Sequence, residues 1–559
     1  MPLKTSAPQH SSARKPQRRG SAPSNAPARV RGLLKTLLFG ALVCAMVFVL
    51  SVLFTPTGER FGDAKDTIRG LYDQPAESVE VMAVGASTMR WGFSPDYLYK
   101  EYGIRAYDCC TSAQAPMVGY YLLQEALRVQ GSSIRLALID MGPYVKGKNF
   151  FKSTDVERAI INMDPSKIKY ELIEDLLKNY PEVRRSEQYV PLLRYHERWN
   201  ELESADFESL LGNDYDTYAH GQNLSFESNA TRGTAGKHTT EKNDAITPEI
   251  DTDKDDIEAL YDDVSLSYLD KIIELCADNE VQGLFMKTPA SMWTDARHDA
   301  CANLAKRYDV PLLDMSLPEI RDACGVDYDL DYYDSKHANI LGSLKITGYL
   351  GSYLHDNFDL TDARGSAADE EMEADLQRYE QAVQDAQLAR SSTLEAYLDL
   401  LSESKGRYTV FATVKGEAAD ALTPEARAKL EQLGLDGLAA LEHGQSYAGV
   451  LDGGACVGQK TGTSGKEVTL SGAYRDGQVL LKKTSMQAGA VLDDPLVLVS
   501  AARDGQAHTD IMLDGEDLSE SAPGINFVVY NRETNTLLDT SAFNTHTGSA
   551  RSSDLAASA

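Results

Sequence analysis

The sequence predicts a mixed α/β protein: a doubly wound parallel sheet in the middle of the chain, a β-rich α+β domain after it, and one transmembrane helix before it. From Val79 to about Tyr353, short apolar runs alternate with amphipathic stretches, the pattern of a parallel sheet flanked by helices. Beyond Arg407 the character changes to short β-type runs separated by glycine-containing turns. The first 57 residues hold no Asp or Glu but eight Lys and Arg, and they end in an apolar run, Leu37 to Phe54. With 559 residues and 42% apolar composition, two or three folded units are expected.

The eight N-terminal cations are Lys4, Arg14, Lys15, Arg18, Arg19, Arg29, Arg31 and Lys35, so a net charge of −29 leaves about −37 for the rest. At about 1.5 Å per residue, the apolar run is just long enough to cross a bilayer core. Basic residues favour the cytoplasmic side. This reading gives a disordered cytoplasmic tail over 1–32, a span over 33–54, and everything after Thr55 outside the cell membrane. A cleaved signal peptide is the alternative; the long basic leader and the lack of a small-x-small site after the run favour an uncleaved anchor. The strongly acidic remainder argues against nucleic-acid binding. Six cysteines fall in the proposed ectodomain, where disulfides are permitted, and no CxxC pair or Cys/His cluster suggests a structural zinc site.

Within the α/β region the expected strands are Val79 to Val84, Ile104 to Tyr107, Ile134 to Ile139, Val281 to Met286 and Val310 to Leu313. Helices are expected over Met117 to Gln130, Asp295 to Tyr308 and Ile340 to Leu354. The domain spans 75–355, with an inserted cap over 144–254 that is helical to Leu211 and loose afterwards. Met372, Leu376, Tyr379 and Val383 form one apolar stripe on a charged helical connector over 366–406. Strands at Tyr408 to Val414, Ser446 to Leu451, Gln478 to Lys482, Leu496 to Ala501 and Ile525 to Tyr530 build a second domain over 407–546. A disordered Ser/Ala-rich tail over 547–559 follows.

The first strand ends in Gly85-Ala86-Ser87, which places a hydroxyl at the carboxyl edge of the sheet, where doubly wound folds bind ligands. A serine needs a base, and the base needs an orienting partner. Two Asp-x-x-His motifs could supply them. In Asp295/His298, the histidine shares a helical face with Cys301, Ala305 and Tyr308 and reads as packed. Asp334/His337 lies in a loop after the fifth strand, free to converge on Ser87, although Asp334 could instead cap the following helix.

The blocks Val84-Gly85-Ala86-Ser87-Thr88, Cys110-Thr111-Ser112-Ala113-Gln114, Lys287-Thr288-Pro289 and Tyr333-Asp334-Ser335-Lys336-His337-Ala338-Asn339 resemble the SGNH/GDSL hydrolases. Within them the chain is most similar to membrane-anchored surface members, including relatives of the D-alanine transfer protein and of alginate O-acetylation proteins. The resemblance implies a flavodoxin-like fold and a triad of Ser87, His337 and Asp334. It also implies oxyanion or substrate contacts from Cys110 and Gln114, with no metal or organic cofactor. The chain departs from the family in having Cys110 where a glycine is usual, and in lacking an asparagine near Asp140-Met141-Gly142; one oxyanion donor is typically worth roughly 3 kcal/mol.

The runs Ser446 to Gly454, Gly524 to Tyr530 and Asp539 to Thr545 resemble the GG domain of interleukin-like EMT inducers, a lectin-like fold. That resemblance implies carbohydrate binding; a purely structural appendage is the alternative. The expectation is a single-pass surface serine esterase acting on small acyl groups, acetyl first, of cell-envelope or extracellular glycans. Its alternatives are an acyltransferase fed by a membrane acyl-donor protein, and a non-catalytic glycan-binding protein.

Overall fold

The structure is a computed structural model that describes residues 26–56, 62–202, 204–208, 257–291, 293–404, 406–472, 496–500, 509–513, 516–533 and 536–552. The tail over 1–25, the loose part of the insertion, the strand expected at Gln478 to Lys482 and residues 553–559 lie outside the described residues. The chain divides into two compact units, one of residues 1–58 with 184–214 and one of the remainder.

In the first unit the helix Ala26–Phe54 has a mean hydropathy of 2.8 over its apolar stretch, which is almost entirely uncovered by protein. Among the described residues it alone is long and apolar enough to span a bilayer. Its C-terminal carbonyls need partners: Arg198 donates to the Phe54 carbonyl at 2.7 Å and is itself held by Asp206 at 3.1 Å.

The second unit begins with a five-stranded, wholly parallel sheet of β1 (Val81–Val84), β2 (Ala106–Asp108), β3 (Leu136–Asp140), β4 (Gln282–Lys287) and β5 (Leu312–Asp314), in the order β2-β1-β3-β4-β5. The order reverses between β1 and β3, which opens a crevice at their carboxyl ends. Alternating residues serve opposite faces. Met82 and Val84 join the core beneath the helices Pro116–Gln130, Asp263–Asp278 and Asp295–Tyr308, whereas Val81 and Ala83 face the helices Pro95–Tyr102 and Ile340–Asn357.

The region expected as an inserted cap is divided. The helices Ser153–Asn162 and Lys167–Asn179 place Val156, Ile160, Leu172, Ile173 and Leu176 in the main core, so this part is domain body rather than cap. Their apolar residues recur at helical spacing and match an uncovered face of the helix Pro116–Gln130.

The connector comprises the helices Ala368–Arg390 and Leu394–Glu403. Met372 and Leu376 of its stripe pack with Tyr99, and Tyr379 and Val383 pack with Ile340. The second domain contains β6 (Tyr408–Lys415), β7 (Tyr447–Asp452), β8 (Ala455–Thr461), β9 (Val468–Gly472), β10 (Leu496–Ser500), β11 (Thr509–Leu513), β12 (Glu516–Asp517), β13 (Gly524–Asn531) and β14 (Thr536–Phe543). They form two antiparallel sheets, β14-β13-β6-β7-β8 and β12-β11-β10-β9. Residues 547–552, expected as part of a disordered tail, are instead ordered. Arg551 is buried and pairs with Asp539 at 2.8 Å, which also accepts the Tyr397 hydroxyl at 2.9 Å. A buried guanidinium needs such a partner, and this one ties the end of the chain to β14.

Candidate active site

Ser87 opens the short helix Ser87–Gly92 directly after β1, at the reversal of strand order. The turn into it is tight enough to require Gly85, because a Cβ there would lie 2.2 Å from the Cβ of Asp140. Asp140 ends β3 and is buried; its Oδ2 accepts the Ala86 N–H at 3.0 Å and its Oδ1 the Gly142 N–H at 2.9 Å. One carboxylate thus ties the Ser87 turn to the neighbouring strand.

The opposite side is the loop over 327–339. Tyr332 pairs with Ala338 in an antiparallel bridge, Tyr333 N–H donates to the His337 carbonyl at 2.8 Å, and the Tyr332 hydroxyl donates to the Pro289 carbonyl at 2.9 Å. The cap of the helix Ile340–Asn357 is Asn339, whose Oδ1 accepts the Gly342 N–H at 3.0 Å. Asp334 is therefore released from that task.

These two segments, 250 residues apart, bring His337 Nε2 within 2.8 Å of Ser87 Oγ. His337 Nδ1 lies 2.8 Å from Asp334 Oδ2, while Asp334 Oδ1 accepts the N–H groups of Lys336 and His337 at 2.9 Å each. Burial pushes the Asp334 carboxyl up, but hydrogen bonds from the His337 ring and the Lys336 N–H, with the charge and N–H of His337, outweigh it and hold its pKa down to about 2. An ionised Asp334 fixes a proton on Nδ1 and leaves Nε2 free to accept the serine proton. Trp91 stacks on Tyr333 at 5.2 Å and lies 5.3 Å from the His337 ring, forming an aromatic wall beside that imidazole.

The structure places the two further expected residues differently. The Cys110 N–H donates to Asp108 Oδ1 at 3.0 Å, so it is already committed, and the next N–H, of Thr111, donates to the Gly85 carbonyl. Gln114 is buried beneath the turn, its Nε2 donating to the Cys109 carbonyl at 2.8 Å; it braces the loop and does not face a substrate. Both corrections have one cause: the donors of this loop are already taken, by Asp108 Oδ1, the Gly85 carbonyl and the Cys109 carbonyl, while Asp108 Oδ2 and Gln114 Oε1 are buried without a hydrogen-bond partner. The Ser87 N–H, at the first helical position, has no intrahelical acceptor. The described cysteines are all unpaired.

His298 is half-buried and bonds to Asp314 at 2.8 Å, not to Asp295; Asp314 also accepts Trp293 Nε1 at 2.7 Å. It belongs to a separate polar cluster at the end of β5. Two lysines were given no role by the sequence, although Lys287 stands in one of the blocks that carry the resemblance. Lys287, at the end of β4, is buried with Nζ 3.2 Å from Thr88 Oγ1 and 2.9 Å from the Thr288 carbonyl. Burial pulls its pKa below the ordinary lysine value, and the nearby Asp140 and Asp314 charges oppose that. Lys146 is held down to about 8, by desolvation first and then by the positive charges of Arg297, Lys287 and Lys336. Of these two, Lys287 is the one held next to Ser87, through Thr88, and the Asp140 and Asp314 carboxylates act on it in turn. Among the described residues, no group of metal-ligating side chains gathers at Ser87; the one such group lies in the second domain.

No protein-family model matches the chain, and no curated protein matches it. A solved structure of a protein from Lactobacillus plantarum is similar at 11% identity, covering 51% of this chain and 100% of that one with a TM-score of 0.21. A second solved structure gives 11% identity, 51% and 99% coverage, and a TM-score of 0.21. Likeness at that level carries no weight for fold or activity.

Proposed function

We propose that the α/β domain is a serine esterase or acyltransferase of the SGNH type, with Ser87 as nucleophile. The observation that carries this reading is the continuous hydrogen-bonded line from Ser87 Oγ through His337 to Asp334, at 2.8 Å for each link. His337 Nε2 takes the proton as Ser87 Oγ attacks the ester carbonyl, and the carboxylate of Asp334 stabilises the imidazolium. The Ser87 N–H holds the developing oxyanion. Collapse of the adduct expels the alcohol, protonated by His337, and leaves an acyl-Ser87 ester. Water then releases the acid, or an acceptor hydroxyl takes the acyl group, each losing its proton to His337.

The 2-1-3-4-5 strand order is that of flavodoxin-like sheets and supports the SGNH reading. The Trp91/Tyr333 wall beside His337 suits a sugar ring. The helix Ala26–Phe54 would anchor the chain with its basic leader inside and both folded domains outside. The second domain, by its resemblance, would hold the glycan. Full-length protein incubated with O-acetylated envelope glycans, with and without a free acceptor glycan, should release acetate or transfer it. Absence of both activities would refute the proposal.

A further inference from the structure

The second domain carries a cluster that the esterase reading does not use. β6 and β14 run in the same direction, and β7 runs opposite to β6, so the loops after β6, before β7 and after β14 all emerge at one edge of the sheet. Each loop contributes metal-ligating side chains: Glu417 and Asp420 from the first, His443 from the second, His546 from the third. His443 Nδ1 lies 3.0 Å from Glu417 Oε2 and 3.0 Å from Asp420 Oδ1, and His546 Nδ1 lies 3.6 Å from Asp420 Oδ2. The ligand atoms of Glu417, Asp420 and His443 all lie within 4.8 Å of one another.

The separations among Glu417, Asp420 and His443 are close to what one ion requires, while His546 stands just outside that group, beside the other oxygen of Asp420. Zinc bonds of about 2.0–2.1 Å in tetrahedral geometry put neighbouring ligand atoms about 3.3 Å apart. Without an ion, one imidazole nitrogen faces two carboxylates, with at most one proton to share between them. A divalent cation replaces that proton and neutralises both carboxylates. Glu417 is also oriented from behind, as metal ligands commonly are. Glu417 Oε1 accepts the Ala419 N–H at 2.8 Å and Oε2 the Gly444 N–H at 2.6 Å, while Ala421 N–H donates to the Thr545 carbonyl at 2.8 Å and clasps the first and third loops together.

We infer that Glu417, Asp420 and His443 form a zinc(II) site that draws in His546, from beside Asp420, as its fourth ligand and so joins the end of β14 to the loops around β6 and β7. Two imidazoles with two carboxylates select a borderline ion over calcium or magnesium, which prefer oxygen ligands alone.

The test uses full-length, tag-free protein stripped with chelator and titrated with zinc(II), and in parallel with cobalt(II) as a spectroscopic probe. The expected result is one ion per chain, intense visible cobalt bands of a tetrahedral site, and a higher melting temperature for the second domain. His443→Ala and Asp420→Asn should each weaken binding at least about 10-fold, since disturbing even an outer partner of a metal site typically costs that much. All four side chains belong to surface loops, so the variants should keep the wild-type circular dichroism. His546→Gln should change the cobalt bands, and His298→Gln should change nothing. Absence of stoichiometric binding, or binding that survives both His443→Ala and Asp420→Asn, would overturn the assignment.

Discussion

Replacing Asp140 by Asn changes one atom, yet the structure predicts a large local effect. The carboxylate is buried and accepts two N–H groups, one on Ala86 and one on Gly142. An amide has a single acceptor oxygen, so one of these donors would face an NH2 group. Losing a hydrogen bond to a charged acceptor costs roughly 1.5–3 kcal/mol, and the orphaned N–H adds to it. The variant also removes the opposing charge that acts most strongly on buried Lys287. Taken together, about 2–3 kcal/mol of local stability should be lost, equivalent to roughly 30- to 150-fold faster opening of the turn. Hydrogen exchange on the peptide containing Ala86 reads that opening directly. Exchange at Ala86 within two-fold of wild type would refute the role given to Asp140.

Two further predictions concern charged side chains. Lys287→Ala should lower kcat for a neutral acetate ester, because its Nζ bonds Thr88 Oγ1 and the Thr288 carbonyl beside the Ser87 turn; steady-state kinetics within two-fold of wild type would exclude that positioning role. Because the Asp334 pKa is depressed to about 2 in the folded state, its stabilising contribution is complete above the ordinary value of 3.8 and is lost as pH falls through about 2. Thermal unfolding between pH 5 and pH 2 should therefore fall more steeply for wild type than for Asp334→Asn, by on the order of 2 kcal/mol; parallel curves would contradict the assigned hydrogen bonds.

The sheet and Ser87, Asp334 and His337 were legible because each rests on a local pattern. Apolar strands end in a small-residue turn, and an Asp-x-x-His lies in a loop rather than on a helix. The surroundings were not legible. Cys110 and Gln114 stand in a block that resembles a family's, but the Cys110 N–H is taken by Asp108 and the Gln114 amide nitrogen by the Cys109 carbonyl, which only the folded turn reveals. Asp140 and Lys287 read as polar residues ending strands, and nothing in their spacing shows that they flank one crevice. In the second domain, β8, with exposed or half-buried residues throughout, and β14, rich in Thr, Asp and Ser, lack the apolar alternation that marks a strand. His443 and His546 stand 103 residues apart in sequence. Only the antiparallel order of the sheet brings their loops together.

The central claim is that Ser87 is activated by His337, and a fluorophosphonate probe tests it most directly, because a serine with a neighbouring base reacts readily with such electrophiles. Wild-type protein should be labelled on the peptide containing Ser87. Ser87→Ala should abolish labelling, His337→Ala should nearly do so, and His298→Ala should leave it intact, since His298 is bonded to Asp314. Asp334→Asn should lower turnover by a factor on the order of 10⁴ through loss of the correct imidazole tautomer. Labelling of Ser87→Ala equal to wild type, or dependence on His298 in place of His337, would contradict the account.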